Sequence, residues 1–313
     1  MAHRLALLSA AREGAGKRAL VTGLHGFTGH YVLAELLAAG YEVVGTAAPG
    51  HACDHAGAAR TIEVDLTDRV VVAAAVRELQ PDVVVHLAAI AFVAHSDVEQ
   101  IYKVNVVGTR HLLEALAAQE KKPSAVLLAS SANIYGNTSV EVIHEDVPPA
   151  PANDYAVSKL AMEFAARLWM DKLPIIMVRP FNYTGVGQAD NFLLPKIVSH
   201  FRRKAADIEL GNLHVWRDFS DVRVVAAAYR HLLAAAPAGQ VFNVSSGKAH
   251  SLGEALRMME AIAGYRINVH VNPAFVRANE VVRLTGDNAR LAGVVGAIEP
   301  LPLEQTLRWM YQA

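Results

Sequence analysis

Residues 19–29 read ALVTGLHGFTG. Ala19-Leu20-Val21-Thr22 is a short apolar run with the length of a buried strand. Gly23, Gly26 and Gly29 follow at spacings of three, and a helical pattern begins at Phe27. Val32, Leu33, Leu36 and Leu37 share one face of that helix, and Gly40 closes it. A strand that turns through glycines into a helix lets the backbone approach a pyrophosphate closely. The helix N-terminus then offers N–H groups and a positive dipole end to it. The stretch therefore predicts the first βα unit of a dinucleotide-binding fold, against the plainer reading of an ordinary strand–turn–helix connection.

The pattern continues outward from this loop. Apolar strands are predicted at 41–46, 61–64, 82–86, 125–129 and 175–178. Helices are predicted between them at 68–80, 98–119 and 155–172. Strands that are apolar throughout, rather than alternating, indicate a parallel sheet covered on both faces. The fold class is α/β, a Rossmann-type doubly wound parallel sheet with a smaller C-terminal substrate-binding lobe. Residues 1–17 form an N-terminal extension. Residues 18–180 form the NAD(P)-binding domain, rejoined by about 219–246, and 181–313 are mainly the second lobe. Phe181 to Gln188 reads as a loop, Phe192 to Lys204 as a helix and Gln240 to Val244 as a late strand returning to the first sheet. Leu252 to Ala263 and Leu303 to Tyr311 read as amphipathic helices.

Composition narrows the function. With 53% hydrophobic residues in 313, the chain has ample material for a core and does not read as disordered. A net charge of -1 provides no basic field for nucleic acid. The apolar stretches fall short of the ~18–20 residues that span a bilayer, so no membrane partner is expected. The lone Cys53 cannot form an internal disulfide and fits a reducing, cytoplasmic setting. Arg4 followed by Leu5-Ala6-Leu7-Leu8 has the outline of an export signal, but Arg12, Glu13 and Lys17 follow at once; we read a cytoplasmic extension. His51, Cys53 and His55 cluster in one loop without a second set of ligands, so no metal is expected.

Strand 125–129 ends in Ser130-Ser131-Ala132-Asn133-Ile134-Tyr135-Gly136. A hydroxyl pair at the end of a buried strand is costly unless hydrogen-bonded, which marks it for function. Tyr155 and Lys159 are four apart and share a helix face. An ammonium beside a phenol favours the phenolate, so such a tyrosine can exchange a proton near neutrality. Ser131 could hold the same substrate oxygen. A cofactor site for NAD normally has a carboxylate at the end of the second strand; here that end is Val44-Gly45-Thr46-Ala47-Ala48. The missing repulsion favours NADP(H), with NAD(H) as the second option. Asp65 is a candidate for the adenine edge, or a helix cap together with Asp68.

These residues lie in a series of motifs: TGLHGFTG (22–29), DLTD (65–68), HLAA (86–89), VNVVGT (104–109), SSANIYG (130–136), YAVSK (155–159) and RPFN (179–182). In order and spacing the series resembles the extended short-chain dehydrogenase/reductases that modify nucleotide-linked sugars. The resemblance implies a catalytic set of Ser131, Tyr155 and Lys159. It implies cofactor contacts from Gly23, Gly26, Phe27, Thr28, Gly29, Asp65, Leu66, Leu87, Ala88 and Ala89, as well as from Tyr155 and Lys159. RPFNYTGVGQ (179–188), FLLPKIV (192–198), GNLHVWRDFSDVR (211–223) and RANEVVRLTGDNARL (277–291) resemble the GDP-4-dehydro-6-deoxy-mannose reductases and the GDP-mannose 4,6-dehydratases. Tyr183, Val224 and Ala278 depart from that pattern, standing where histidine, aspartate and proline are usual.

By the same resemblance, Asn182, Arg217 and Arg277 would hold the diphosphate of a nucleotide sugar, arginine pairing bidentately with phosphate oxygens. Glu280 would bond a ribose hydroxyl, and Leu193 and Lys196 would line the nucleotide pocket. The dehydratases need an acid and a base just after the catalytic hydroxyl. Ala132 and Asn133 occupy those positions here, and neither ionises near neutrality. The expected reaction is therefore NAD(P)H-dependent reduction at a C4 ketone. An NAD-dependent 4-epimerase is the second reading and a non-catalytic dinucleotide sensor the third. The family also implies a homodimer through the helices predicted at 98–119 and 155–172.

Overall fold

The computed structural model describes residues 13–51, 57–91, 97–273 and 283–313. Most of the N-terminal extension, Cys53 and His55, and the predicted ligands Arg277 and Glu280 lie outside the described residues. The chain divides into two compact units. The first comprises Met1–Ile134, Asn153–Arg179 and Ala226–Phe242; the second comprises Tyr135–Ala152, Pro180–Val225 and Asn243–Ala313.

The first unit is built on β1 (Arg18–Thr22), α1 (Phe27–Ala38), β2 (Glu42–Ala47), β3 (Arg60–Glu63), α2 (Arg69–Leu79) and β4 (Val83–His86). It continues with α3 (Val98–Tyr102), a π-helical turn (Lys103–Gly108), α4 (Thr109–Ala117), β5 (Ala125–Ala129) and α5 (Asp154–Arg167). With β7 (Ile175–Pro180) and the late β11 (Val241–Val244), these strands make a seven-stranded sheet in the order β11-β7-β5-β4-β1-β2-β3. The pairings β3-β2-β1-β4-β5-β7 are parallel. The order reverses beside β1, which makes the sheet doubly wound and opens a crevice at the carboxyl ends of β1 and β4.

Helices cover the sheet because its strands are apolar on both faces. Leu20, Val44, Val84, Val126, Leu128, Ile175 and Met177 pack against Val72 and Val76 of α2, Leu112 and Leu116 of α4, and Met162 of α5. Ala19, Val21, Val85, Leu127 and Ile176 fill the opposite face with no exposed surface. The helix predicted as continuous over 98–119 is interrupted by the π-helical turn. The Asn105 side chain bonds the backbone of Ile90, and Thr109 Oγ1 donates back to Asn105 O at 2.8 Å. These side-chain bonds compete with the regular helical register. The helix predicted over 155–172 ends at Arg167, and the chain continues through Leu168→Ala165 and Trp169→Ala166 bonds that tighten its last turn.

The second unit carries a smaller sheet, β12-β10-β14-β6, with β8 paired to β10. Its strands are β6 (Val142–Ile143), β8 (Asn182–Thr184), β10 (Trp216–Asp221), β12 (Ala249–Ser251) and β14 (Arg283–Gly286). A separate parallel pair joins β9 (Asp207–Leu210) to β13 (Asn268–Val271). The segment predicted as a loop at 181–188 thus contributes β8, which is held by its register with Phe219–Asp221. Helices α6 (Leu193–Arg202), α8 (Leu252–Ala263) and α10 (Leu303–Gln312) pack around Phe201, Phe219, Met259 and Leu307. Helix α9 (Ala289–Val295) also belongs to this unit, whereas α7 (Val222–Ala235) lies mostly in the first. A capping box between Ser251 and Glu254 opens α8, and Gly264 closes it. Among the described residues no helix is long and apolar enough to cross a membrane.

Candidate active site

The glycine loop hangs from the end of β2. Gly23 and Leu24 both donate to Thr46 O, at 3.1 and 3.2 Å, and Gly26 N and Gly29 N close successive turns at 3.0 Å. Gly23 has φ +70°, and a Cβ there would come within 2.9 Å of Ala88. A side chain would therefore fill the cradle between the β1 and β4 loops. No side chain caps the start of α1 at Gly26. A tight backbone turn delivering a bare helix N-terminus fits a dinucleotide pyrophosphate. The β2 end, Thr46 and Ala47, is buried and has no carboxylate.

The predicted cofactor segment at 87–89 lies against the same loop. Leu87 N donates to Thr22 O and Ala88 N to Thr22 Oγ1, each at 3.2 Å. Asp65 Oδ1 accepts from Thr67 N and Thr67 Oγ1, at 2.8 and 2.7 Å, so part of this carboxylate is used in its own turn. Asp68 alone caps α2, through Val70 N and Val71 N. Leu66 is buried, and its carbonyl accepts from His111 Nδ1 at 3.0 Å.

Ser131, Tyr155 and Lys159 are all buried. Ser131 Oγ accepts from both Asn133 N and Asn133 Nδ2 at 3.2 Å, which leaves the serine O–H to donate. Asn133 is thus a hydrogen-bonding support for the serine, beside a buried Ala132. Lys159 Nζ lies 6.0 Å from the centre of the Tyr155 ring and donates to Ala129 O at 2.8 Å. Burial lowers the Lys159 pKa to about 8, with the Glu163 carboxylate acting in the opposite direction. Glu163, one turn on, is held bidentately by Arg179 at 2.9 and 2.7 Å, in a pair that is itself buried.

In the second unit, Asn182 is paired in register with Phe219, and Arg217 lies two residues before Phe219 on β10. Strand alternation therefore puts Asn182 and Arg217 on the same face of this sheet. The Arg217 guanidinium donates to Trp216 O at 2.9 Å. Lys196 Nζ donates to Glu209 O at 2.8 Å, and Leu193 is partly buried against the helical core. His51, from the cysteine-containing loop, bonds Pro49 O. Among the described residues no group of three or more His, Cys, Asp or Glu is placed to hold a metal.

Sequence reasoning assigned no role to Thr22, His86, Asn105, Thr109, Ser158, Glu163 or Arg179. All but Glu163 lie in one of the motifs quoted above. Their partners are distant in sequence, however, and local pattern gives no sign of them.

The family model for the NAD dependent epimerase/dehydratase family matches residues 19–245. The GDP-6-deoxy-D-talose 4-dehydrogenase of Aggregatibacter actinomycetemcomitans is 33% identical over 88% of this chain and 90% of its own. The GDP-6-deoxy-D-mannose reductase of Pseudomonas aeruginosa is 35% identical over 73% of this chain and 78% of its own. Among solved structures, an epimerase candidate from Burkholderia cenocepacia J2315 is 55% identical with a TM-score of 0.91, covering 96% of this chain and 98% of its own. RMD from P. aeruginosa, complexed with NADPH, is 31% identical with a TM-score of 0.82, covering 95% and 98%.

Proposed function

This chain belongs to the NAD dependent epimerase/dehydratase family, and we propose that within it the chain is an NADPH-preferring reductase. Its substrate is a GDP-linked 4-keto-6-deoxy sugar, GDP-4-dehydro-6-deoxy-mannose or a close relative, reduced at C4. One observation carries the reading: Ser131, Tyr155 and Lys159 are buried at the sheet's carboxyl edge, while the two positions after Ser131 hold no group able to remove water. The two relatives named as a GDP-6-deoxy-sugar 4-dehydrogenase and reductase support the substrate class. The NADPH complex of RMD and the β2 end without a carboxylate support the cofactor.

The nicotinamide, when bound, supplies the hydride that reaches C4. As C4 becomes tetrahedral its oxygen gains negative charge. Ser131 donates a hydrogen bond to that oxygen, and Tyr155 gives it the phenolic proton. The Lys159 ammonium stabilises the phenolate left behind, and its remaining N–H groups can hold the nicotinamide ribose. Hydride and proton together complete the C4 alcohol. Asn182 and Arg217, with Arg277 and Glu280, hold the nucleotide diphosphate and ribose.

We also assign a homodimer, supported by the exposed apolar side chains of Val157 and Phe164 on α5 and of Leu168 just past its end, which are 38%, 54% and 77% exposed. A cytoplasmic setting suits a nucleotide-sugar enzyme with one cysteine.

The test is NADPH oxidation with GDP-4-keto-6-deoxy-mannose generated in situ, run in parallel with NADH. Stoichiometric oxidation that is lost in Tyr155→Phe is the expected result. The epimerase candidate from B. cenocepacia supports an epimerase as the second reading, which we take as an NAD-dependent 4-epimerase. That reading predicts no net oxidation, and NAD released when the purified protein is denatured.

A further inference from the structure

Five polar side chains are buried together in the first unit: Thr22, His86, Asn105, Thr109 and Ser158, none more than 3% exposed. Their hydrogen bonds run in one direction. Thr109 Oγ1 spends its proton on Asn105 O, at 2.8 Å, so it can only accept from His86 Nε2–H, also at 2.8 Å. His86 Nδ1 is then an acceptor and takes the Thr22 hydroxyl proton at 2.7 Å. Thr22 Oγ1 in turn accepts from Ala88 N at 3.2 Å. This order specifies a neutral histidine with its proton on Nε2. Burial, with the Lys159 charge nearby, pushes the His86 pKa down to about 3 and keeps the ring in that state.

Asn105 extends the chain. Its Oδ1 accepts from Ile90 N at 2.8 Å, and its Nδ2 donates to Ile90 O at 3.1 Å and to Ser158 Oγ at 3.0 Å. Ser158 Oγ donates to Tyr155 O at 2.7 Å. The π-helical turn that carries Asn105 also touches the adenine-side segment, since a Cβ on Gly108 would come within 2.9 Å of Leu66.

We propose that His86 and Thr109 are positioning residues: the buried chain Ala88–Thr22–His86–Thr109–Asn105–Ser158–Tyr155 fixes the loop at 87–90 against the reaction helix α5, and so sets how the dinucleotide is held relative to Tyr155. The physical reason is that the loop has no regular ladder of its own. Ala88 N, Ile90 N and Ile90 O are all satisfied by side chains of this network. A fully satisfied buried network is rigid, and removing one member leaves its neighbour unpaired. The proposal rests on the dinucleotide-binding reading above.

Thr109→Val is the test, because valine keeps the shape and removes the hydroxyl that His86 and Asn105 share. Thr109→Ser is the rescue. Two readouts need no sugar: NADPH affinity by fluorescence titration, and amide exchange of the segment 86–91 in the unliganded protein. Thr109→Val is expected to bind NADPH about tenfold more weakly and to exchange faster in 86–91, since one buried hydrogen-bond link is lost. Thr109→Ser is expected to restore both. Unchanged affinity and exchange in a folded Thr109→Val protein overturns the proposal, as does a defect that serine does not rescue. If Thr109→Val does not fold, Ser158→Ala breaks the chain at its other end. It is expected to lower the turnover rate several-fold with NADPH affinity retained, and an unchanged rate overturns the proposal. A wild-type protein that binds no dinucleotide refutes the functional reading instead, and the exchange measurement still judges the network.

Discussion

Lys159→Met is expected to abolish activity and at the same time stabilise the protein. Lys159 is 5% exposed, and Ala129 O is the acceptor for its ammonium. Burial lowers its pKa from the ordinary 10.5 to about 8. Each unit is worth 1.36 kcal/mol, so keeping the ammonium charged in the folded state costs about 3 kcal/mol at pH 7. Methionine fills the same stem volume without charge. The lost hydrogen bond to Ala129 O gives back about 1 kcal/mol, which leaves a net gain of about 2 kcal/mol. The sign with pH follows from the direction of the shift. Between about pH 8 and 10.5 the unfolded chain binds more protons than the folded one, so wild-type stability rises with pH across that window. The advantage of the variant should be full below about pH 8 and absent near pH 10.5. Urea denaturation of both proteins at neutral and alkaline pH measures this. A variant less stable than wild type at pH 7, or a stability gap that does not narrow as pH rises, refutes the argument that the buried ammonium is held at the expense of stability.

Two further outcomes are expected. Glu163→Gln removes the buried carboxylate that pairs bidentately with the Arg179 guanidinium, at a cost of about 3–5 kcal/mol; a thermal melt that matches wild type contradicts this. Phe164→Glu places a carboxylate on the exposed face of α5 and is expected to convert the proposed dimer to a monomer in sedimentation velocity, while a wild-type protein that sediments as a monomer rules out that interface.

Much of the catalytic unit is legible in the chain because its signals are local. The glycine loop is three residues at fixed spacing between one strand and one helix. Tyr155 and Lys159 are one helical turn apart, and the central parallel strands β4 and β5 are almost wholly apolar because both faces are covered. The expectation against water elimination is likewise local, since the family resemblance rests it on the two residues after Ser131, Ala132 and Asn133. The second unit was harder to read. Strands such as β6, β8 and β12 are two or three residues long, too short for periodicity, and exist because a neighbouring strand pairs with them. The break in the helix at Lys103–Gly108 depends on Ile90 and Ser158, which no window around Asn105 contains.

The same division holds for the site. Residue type and spacing put Tyr155 and Lys159 one turn apart on a helix, and the family resemblance adds Ser131 to the proposed proton-transfer set. Their environment comes from long-range packing. It buried Lys159, placed Arg179 against Glu163 and closed the bonds of His86 on Thr22 and Thr109. A pKa and a hydrogen-bond direction depend on what the fold brings within a few ångströms, and here those partners come from strands and helices far apart along the chain.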